Sequence, residues 1–177
     1  EGDGPEGFVV DGQGRRTKLS CGSSDAGLLQ HHGDRSNVFV MDRIGSSDLL
    51  DAARIARSIE FTRFPAATEP NGNGSEEGEL VRAADLIGQL GDPQYLRKAN
   101  ALYYEFEEVG LNKQLGYGSP ADLTDLYPQF YWKTVSPYIQ TAIRYLNVTS
   151  SGRQWIANLY SNVFRAERDL RLSGPQR

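Results

Sequence analysis

Apolar residues recur along this chain at helical spacing. Trp155, Ile156, Leu159, Tyr160, Val163 and Phe164 fall at i, i+1, i+4, i+5, i+8 and i+9, one continuous face of a helix that closes the chain before the charged run RAERDLRLSGPQR. Leu80, Ala83, Ala84, Ile87 and Leu90 repeat the pattern, and Gly91 and Pro93 punctuate its end. Asp92 then caps a helix with Pro93 in its first turn, through Tyr95, Ala99, Leu102, Tyr103 and Phe106 to Gly110. Ser119 and Pro120 open a short helix reaching Tyr127, and Pro128 restarts the chain. From Phe130 to Leu146 a stripe of Phe130, Tyr131, Val135, Tyr138, Ile139, Ala142, Tyr145 and Leu146 predicts a helix kinked at Pro137.

Nearer the start, Leu28, Leu29, His32, Val38, Phe39 and Met41 predict a helix interrupted near Gly33. Ser46 and Ser47 offer an N-cap to the next, which holds Leu49, Leu50, Ala53, Ile55, Ala56 and Ile59 and must end by Pro65. Residues 1–24 are glycine-rich and irregular, with Phe8, Val9 and Val10 suited to one arm of a small hairpin. Residues 65–78, PAATEPNGNGSEEG, have no apolar side chain larger than alanine and predict a long loop. The expected architecture is all-α, a bundle of six or seven helices over residues 25–168 with a flexible tail at 169–177.

Composition narrows the function classes. A chain of 177 residues suits one ordinary domain. With 19 Lys+Arg against 23 Asp+Glu, the net charge of −4 gives no field for a phosphate backbone, so nucleic acid is not an expected partner, although Arg153, Arg165, Arg168 and Arg171 make the last helix locally basic. Cys21 is the single cysteine and has no internal disulfide partner, which points to an intracellular address and excludes a thiolate metal cluster. No apolar run approaches the roughly 20 residues needed to cross a bilayer, and EGDGPEGFVV is not a signal peptide. A soluble, intracellular protein is expected. The glycosylation-like triplet Asn147-Val148-Thr149 stands alone and is set aside. There is no Walker loop, dinucleotide fingerprint or nucleophile elbow.

Polar residues beside the apolar stripes are where chemistry would sit, because desolvating them needs a compensating partner. In LQHHGDRS, His31 and His32 stand next to Asp34 and Arg35; imidazole suits first-row metals, and Arg35 offers a planar fork to phosphate. The plainer alternative is a surface histidine pair beside a solvated ion pair. In LVRAADLIGQL, Asp85 interrupts a small apolar run with Gln89 one turn on, and pairing with Arg82 is its structural alternative. In IEFTRFP, Glu60, Thr62 and Arg63 read alone as a helix C-terminus. Glu105, Glu107 and Glu108 read as a solvated face served by Arg97, Lys98 and Lys113.

The segments SSDAGLLQHHGDRSNVFV, IARSIEFTRFP, LVRAADLIGQLGDPQYLRKANALYYEFEEVG, LYPQFYWKTVSPYI and GRQWIANLYSNVF together resemble the C-terminal two thirds of a bacterial family of HD-domain metal-dependent phosphohydrolases, related in fold to cyclic-nucleotide phosphodiesterases. The resemblance covers roughly residues 20 to 165. It implies an HD/PDEase-like helical bundle holding one or two divalent metals (Mn, Fe, Zn or Mg), with a metal-bound water attacking a phosphorylated small molecule. By position it implies His32 and Asp85 as metal ligands and catalytic residues gripping the same cation. Arg35, Arg63 and Gln89 would contact substrate, with Thr62 near the pocket. The departure is equally informative: the family's first histidine and its His-Asp pair have no counterpart, since no histidine precedes His31. One His and one Asp leave half of the ligand set missing. Two readings follow, an incomplete hydrolase domain whose N-terminal helices are not in this sequence, or a non-catalytic subunit of a larger assembly that binds a protein partner through its aromatic C-terminal half.

Overall fold

The computed structural model describes residues 8–10, 16–18, 24–63 and 76–175. Cys21, Pro65 and most of the expected loop lie outside them. The architecture is all-α apart from one small hairpin, in which β1 (Phe8–Val10) pairs antiparallel with β2 (Arg16–Lys18), Val9 opposite Thr17. The arm expected at Phe8–Val10 is therefore a strand. The chain forms two compact units, Glu1–Val81 and Arg82–Arg177.

In the first unit, a 3₁₀ stretch over Asp25–His31 runs directly into α1 (His32–Ile44). The switch of helix type at His31/His32 is the interruption expected near Gly33. Val38, Phe39 and Met41 are nevertheless half exposed, so the apolar stripe on α1 is not the buried one. Helix α2 (Ala52–Ile59) packs on α1 and starts later than expected, with Asp51 as its cap accepting from the Arg54 amide at 2.9 Å. Ser47 instead accepts from the amides of Leu49 and Leu50, closing a turn. A 3₁₀ turn, Glu60–Thr62, ends α2. Helix α3 (Glu76–Leu90) begins inside the expected loop, so residues 76–78 are helical. Its Gly78 lets the Phe61 ring lie where a Cβ would come within 2.5 Å.

The second unit has a dense core. Helix α4 (Tyr95–Glu108) ends one residue before Val109, and Gly110 takes the left-handed conformation (φ 71°) that a glycine supplies without strain. Short helices α5 (Leu111–Leu115), α6 (Pro120–Asp125) and α7 (Tyr127–Phe130) follow. Asp122 accepts from the Gly118 and Ser119 amides, fixing the start of α6. A π-helical turn, Tyr131–Val135, then leads into α8 (Ser136–Leu146). Pro137 follows just beyond it, with no amide hydrogen and a ring that repels the carbonyl four residues earlier, and the widened turn accommodates it. Helix α9 (Ser150–Ser173) is capped by Thr149, whose hydroxyl accepts from Gly152 at 2.9 Å, and it continues through Ser173 where a flexible tail was expected. Against it pack α7 and α8, burying Tyr127, Tyr131, Val135, Ile139, Leu159 and Val163. Asn162, buried on the same face, donates to the carbonyls of Leu90 (2.8 Å) and Asp92 (2.8 Å), which caps the C-terminal end of α3 from a distant part of the sequence.

Candidate functional site

Five of the polar residues read from the sequence meet in the first unit. His32 opens α1, and its Nδ1 faces the Leu29 carbonyl at 2.9 Å, so that nitrogen donates. Nε2 stands 3.3 Å from the Thr62 hydroxyl, which itself donates to Ile59 O at 2.8 Å. Two residues after His32, Asp34 accepts from Arg63 Nη2 at 2.6 Å. The same guanidinium grips Glu60 with a fork, Nε to one carboxylate oxygen and Nη2 to the other at 3.0 Å. Asn37, one further turn along α1, donates to Glu60 at 2.6 Å. A chain of contacts thus ties three successive positions on α1 to the end of α2.

The electrostatics follow from that geometry. The hydrogen bond from Arg63 holds the Glu60 carboxyl below the usual carboxylate range, against the opposing effect of partial burial and with help from Asn37. Glu60 and Asp34 in turn push the Arg63 guanidinium further up. Gly33 completes the arrangement: a Cβ at that position would lie 2.7 Å from Arg63 Cζ, so the guanidinium rests on bare backbone. Gly33 and Asn37 were not singled out in the sequence for this role. For Asn37 a signal existed, since it falls three residues after Asp34 on the same helix face.

Other candidates are placed differently. Arg35 is half-buried on α1. Asp85 and Gln89 belong to the second unit, where Gln89 Nε2 donates to Asp85 at 3.3 Å. The Arg82 guanidinium lies over the Tyr138 ring, 4.7 Å from its centroid. Of the acidic stretch in α4, Glu107 accepts from Asn112 at 2.9 Å, while Lys98 pairs with Asp92.

Among the described residues no three His, Cys, Asp or Glu side chains gather to hold a metal ion. A catalytic metal needs about three protein ligands, so the two residues implied by the resemblance, His32 and Asp85, do not by themselves fit one. A separate groove of about 380 Å³ runs along α2 and the start of α3, lined by Leu49, Leu50, Ile55, Ile59 and Val81, with the Arg54–Glu77 ion pair at its side. His32, Arg35 and Arg63 are not among its lining residues. No described helix is long and apolar enough to cross a membrane.

No curated protein and no solved structure matches the sequence. The Npun_R2479-like family matches over residues 4–169, which includes the polar cluster and nearly all of both units. The chain belongs to the Npun_R2479-like family.

Proposed function

We propose that the chain furnishes one side of a phosphate-ester-hydrolysing centre of the HD type, with His32 as its ligand-bearing residue. The observation that carries this reading is the orientation of His32. Its Nδ1 is fixed on the Leu29 carbonyl, so Nε2, whose contact to Thr62 is long, is the atom left to a ligand. Thr62 and Arg63, placed near a pocket by the resemblance, are its neighbours in the same cluster. Arg63 can meet a phosphate oxygen only through Nη1 or by exchanging Glu60 for it, because its Nε and Nη2 edge is already engaged. Among the described residues no third ligand joins His32, and no reaction step is assigned to a metal from the residues present.

The test is to read the residues encoded before Glu1 and to assay the native polypeptide. A histidine and a His-Asp pair upstream, bound Mn, Fe, Zn or Mg, and loss of both metal and phosphate-ester hydrolysis in His32→Ala are expected. Native protein that keeps its metal and activity in His32→Ala overturns the assignment.

A second reading has its own support, in the apolar groove and the exposure of Leu49 (94%) and Leu50 (51%) at its edge. In that reading the chain is a non-catalytic subunit. Metal-free native protein that co-purifies in stoichiometric complex with another chain favours it.

A further inference from the structure

One stripe of α9 carries charges and rings that the contacts within the second unit leave open on the outside. Tyr160, Phe164, Glu167 and Arg171 fall at i, i+4, i+7 and i+11, alongside the buried face of Leu159, Val163 and Ala166. Trp132 reaches the stripe from the π-helical turn, its indole N–H donating to Glu167 Oε1 at 2.7 Å. The inner sides of the rings are packed: Trp132 meets Tyr131 edge-on at 4.9 Å, and Phe164 stacks on Tyr160 at 6.0 Å. Trp132 and Phe164 nevertheless remain 44% and 54% exposed, so each is held in place with part of its ring facing solvent.

The charges are as informative as the rings. Arg171 stands one turn after Glu167, the ordinary position of an ion-pair partner on a helix, yet no ion pair joins them among the described residues. Arg165 and Arg168 pair with Asp169 instead. Trp132 occupies one acceptor site of Glu167, and a carboxylate offers about four. A guanidinium binds a carboxylate through parallel N–H bonds and lies flat on an aromatic ring. The stripe therefore holds both halves of one contact. A surface complementary to itself meets the requirement of a two-fold symmetric dimer, in which the same patch faces itself.

We propose that two copies of the chain pair through this stripe, their α9 helices crossing antiparallel about a two-fold axis between Glu167 and Arg168. Phe164 and Arg171 are seven residues apart, about 10 Å along a helix rising 1.5 Å per residue, and that axis bisects them. Each Arg171 is thereby brought opposite the Phe164 ring of the other copy and within a side chain's reach of its Glu167. Trp132 and Tyr160 flank the contact and shut out water, as residues around an interface hot spot do. The surface lies within the second unit and draws nothing from the His32 cluster, so it stands or falls apart from the hydrolase reading.

Analytical ultracentrifugation of the full chain, from micromolar to hundreds of micromolar, is the test. The wild type should dimerise. Glu167→Arg and Arg171→Glu should each weaken the dimer about tenfold or more, because like charges then face each other twice across the axis. An equimolar mixture of the two variants should dimerise again, since each reversed charge meets its opposite in the other chain; an effect confined to one chain cannot produce that result. Where circular dichroism shows that a reversal disrupts folding, Arg171→Ala and Phe164→Ser take its place, and each should weaken the wild-type dimer. A wild-type chain that stays monomeric throughout the range, whatever other protein it captures, a dimer indifferent to these substitutions, or a mixture of folded variants that does not associate overturns the proposal.

Discussion

In the second unit, Tyr127, Tyr131, Val135, Ile139, Leu159 and Val163 are all buried to 2% exposure or less, and four of these positions are aliphatic. In the first, the buried apolar residues among those described are Ala26, Ala52 and Phe61, two of them alanines, and a polar chain of contacts runs from His32 to Arg63. Apolar burial is non-directional and grows with area, whereas the polar chain depends on donor and acceptor angles at a few atoms. Substitutions that remove volume should therefore dominate in the second unit. Substitutions that move one polar atom should dominate in the first.

The sharpest way to break that contrast is in the core of α9. Leu159→Ala removes a side chain with no exposed surface and should cost about 3 kcal/mol, the middle of the range for buried Leu→Ala changes, read as a lowered urea midpoint with unchanged slope. A loss below about 1 kcal/mol would mean that the helices around α9 collapse into the space and that the core is looser than its burial implies.

Next in size is Asn162→Ala. It removes the Asn162 donor from the Leu90 carbonyl, while the Asp92 carbonyl keeps the Tyr95 amide, and an unpaired buried group of this kind costs about 1–3 kcal/mol. Hydrogen exchange at the C-terminal turn of α3 should accelerate more than exchange in α8. Uniform acceleration would show that Asn162 acts through global stability rather than as a cap.

One substitution made in both units should change sign between them. Gly88→Ala on α3 meets nothing within 4 Å and should stabilise by about 0.5 kcal/mol through helix propensity. Gly33→Ala has the same propensity gain available, yet its methyl group would displace the Arg63 guanidinium, and a net loss of about 1 kcal/mol is expected. In an Arg63→Ala background that loss should vanish. Equal effects of Gly33→Ala in both backgrounds would sever the glycine from the clamp.

Helix positions were the most legible part of the sequence, because a 3.6-residue period survives in any single chain. The faces on α3 and α9 and the glycine stop after α4 could be read directly from Ala83, Ile87, Leu159, Val163 and Gly110. Which apolar residues are buried could not: Val38, Phe39 and Met41 have the same periodicity as a core stripe and are half exposed. Periodicity reports a face, not what covers it. The second helix was misplaced because Ser46, Ser47 and Asp51 are all competent caps, and only the fold selects Asp51. At the candidate site, Asp34, Glu60, Thr62 and Arg63 were visible as residues, but their convergence joins positions nearly thirty apart in the chain, a distance that local spacing does not encode. Arg63 illustrates the consequence. The resemblance implies a substrate contact for it, and in the fold most of its donors are committed to two carboxylates.

The smallest effect expected tests that commitment through pH. Glu60 has its carboxyl held down chiefly by the Arg63 hydrogen bond, so the folded state binds its proton more weakly than the unfolded chain does. The resulting stabilisation is complete above the unfolded carboxylate range, around pH 4.3, and is lost as pH falls through the lower folded value. Because Glu60 and Arg63 are partly exposed, solvent screening keeps the contribution small, and it is better read by NMR titration of the Glu60 carboxyl carbon than by denaturation. The midpoint should lie below that of an ordinary glutamate, should rise in Arg63→Ala, and should rise less in Asn37→Ala, matching the order of the two donors. An unchanged midpoint in Arg63→Ala would remove the fork as the cause. The link between α1 and the end of α2 would then rest on the Arg63–Asp34 pair, on Asn37 and on the contact between His32 and Thr62.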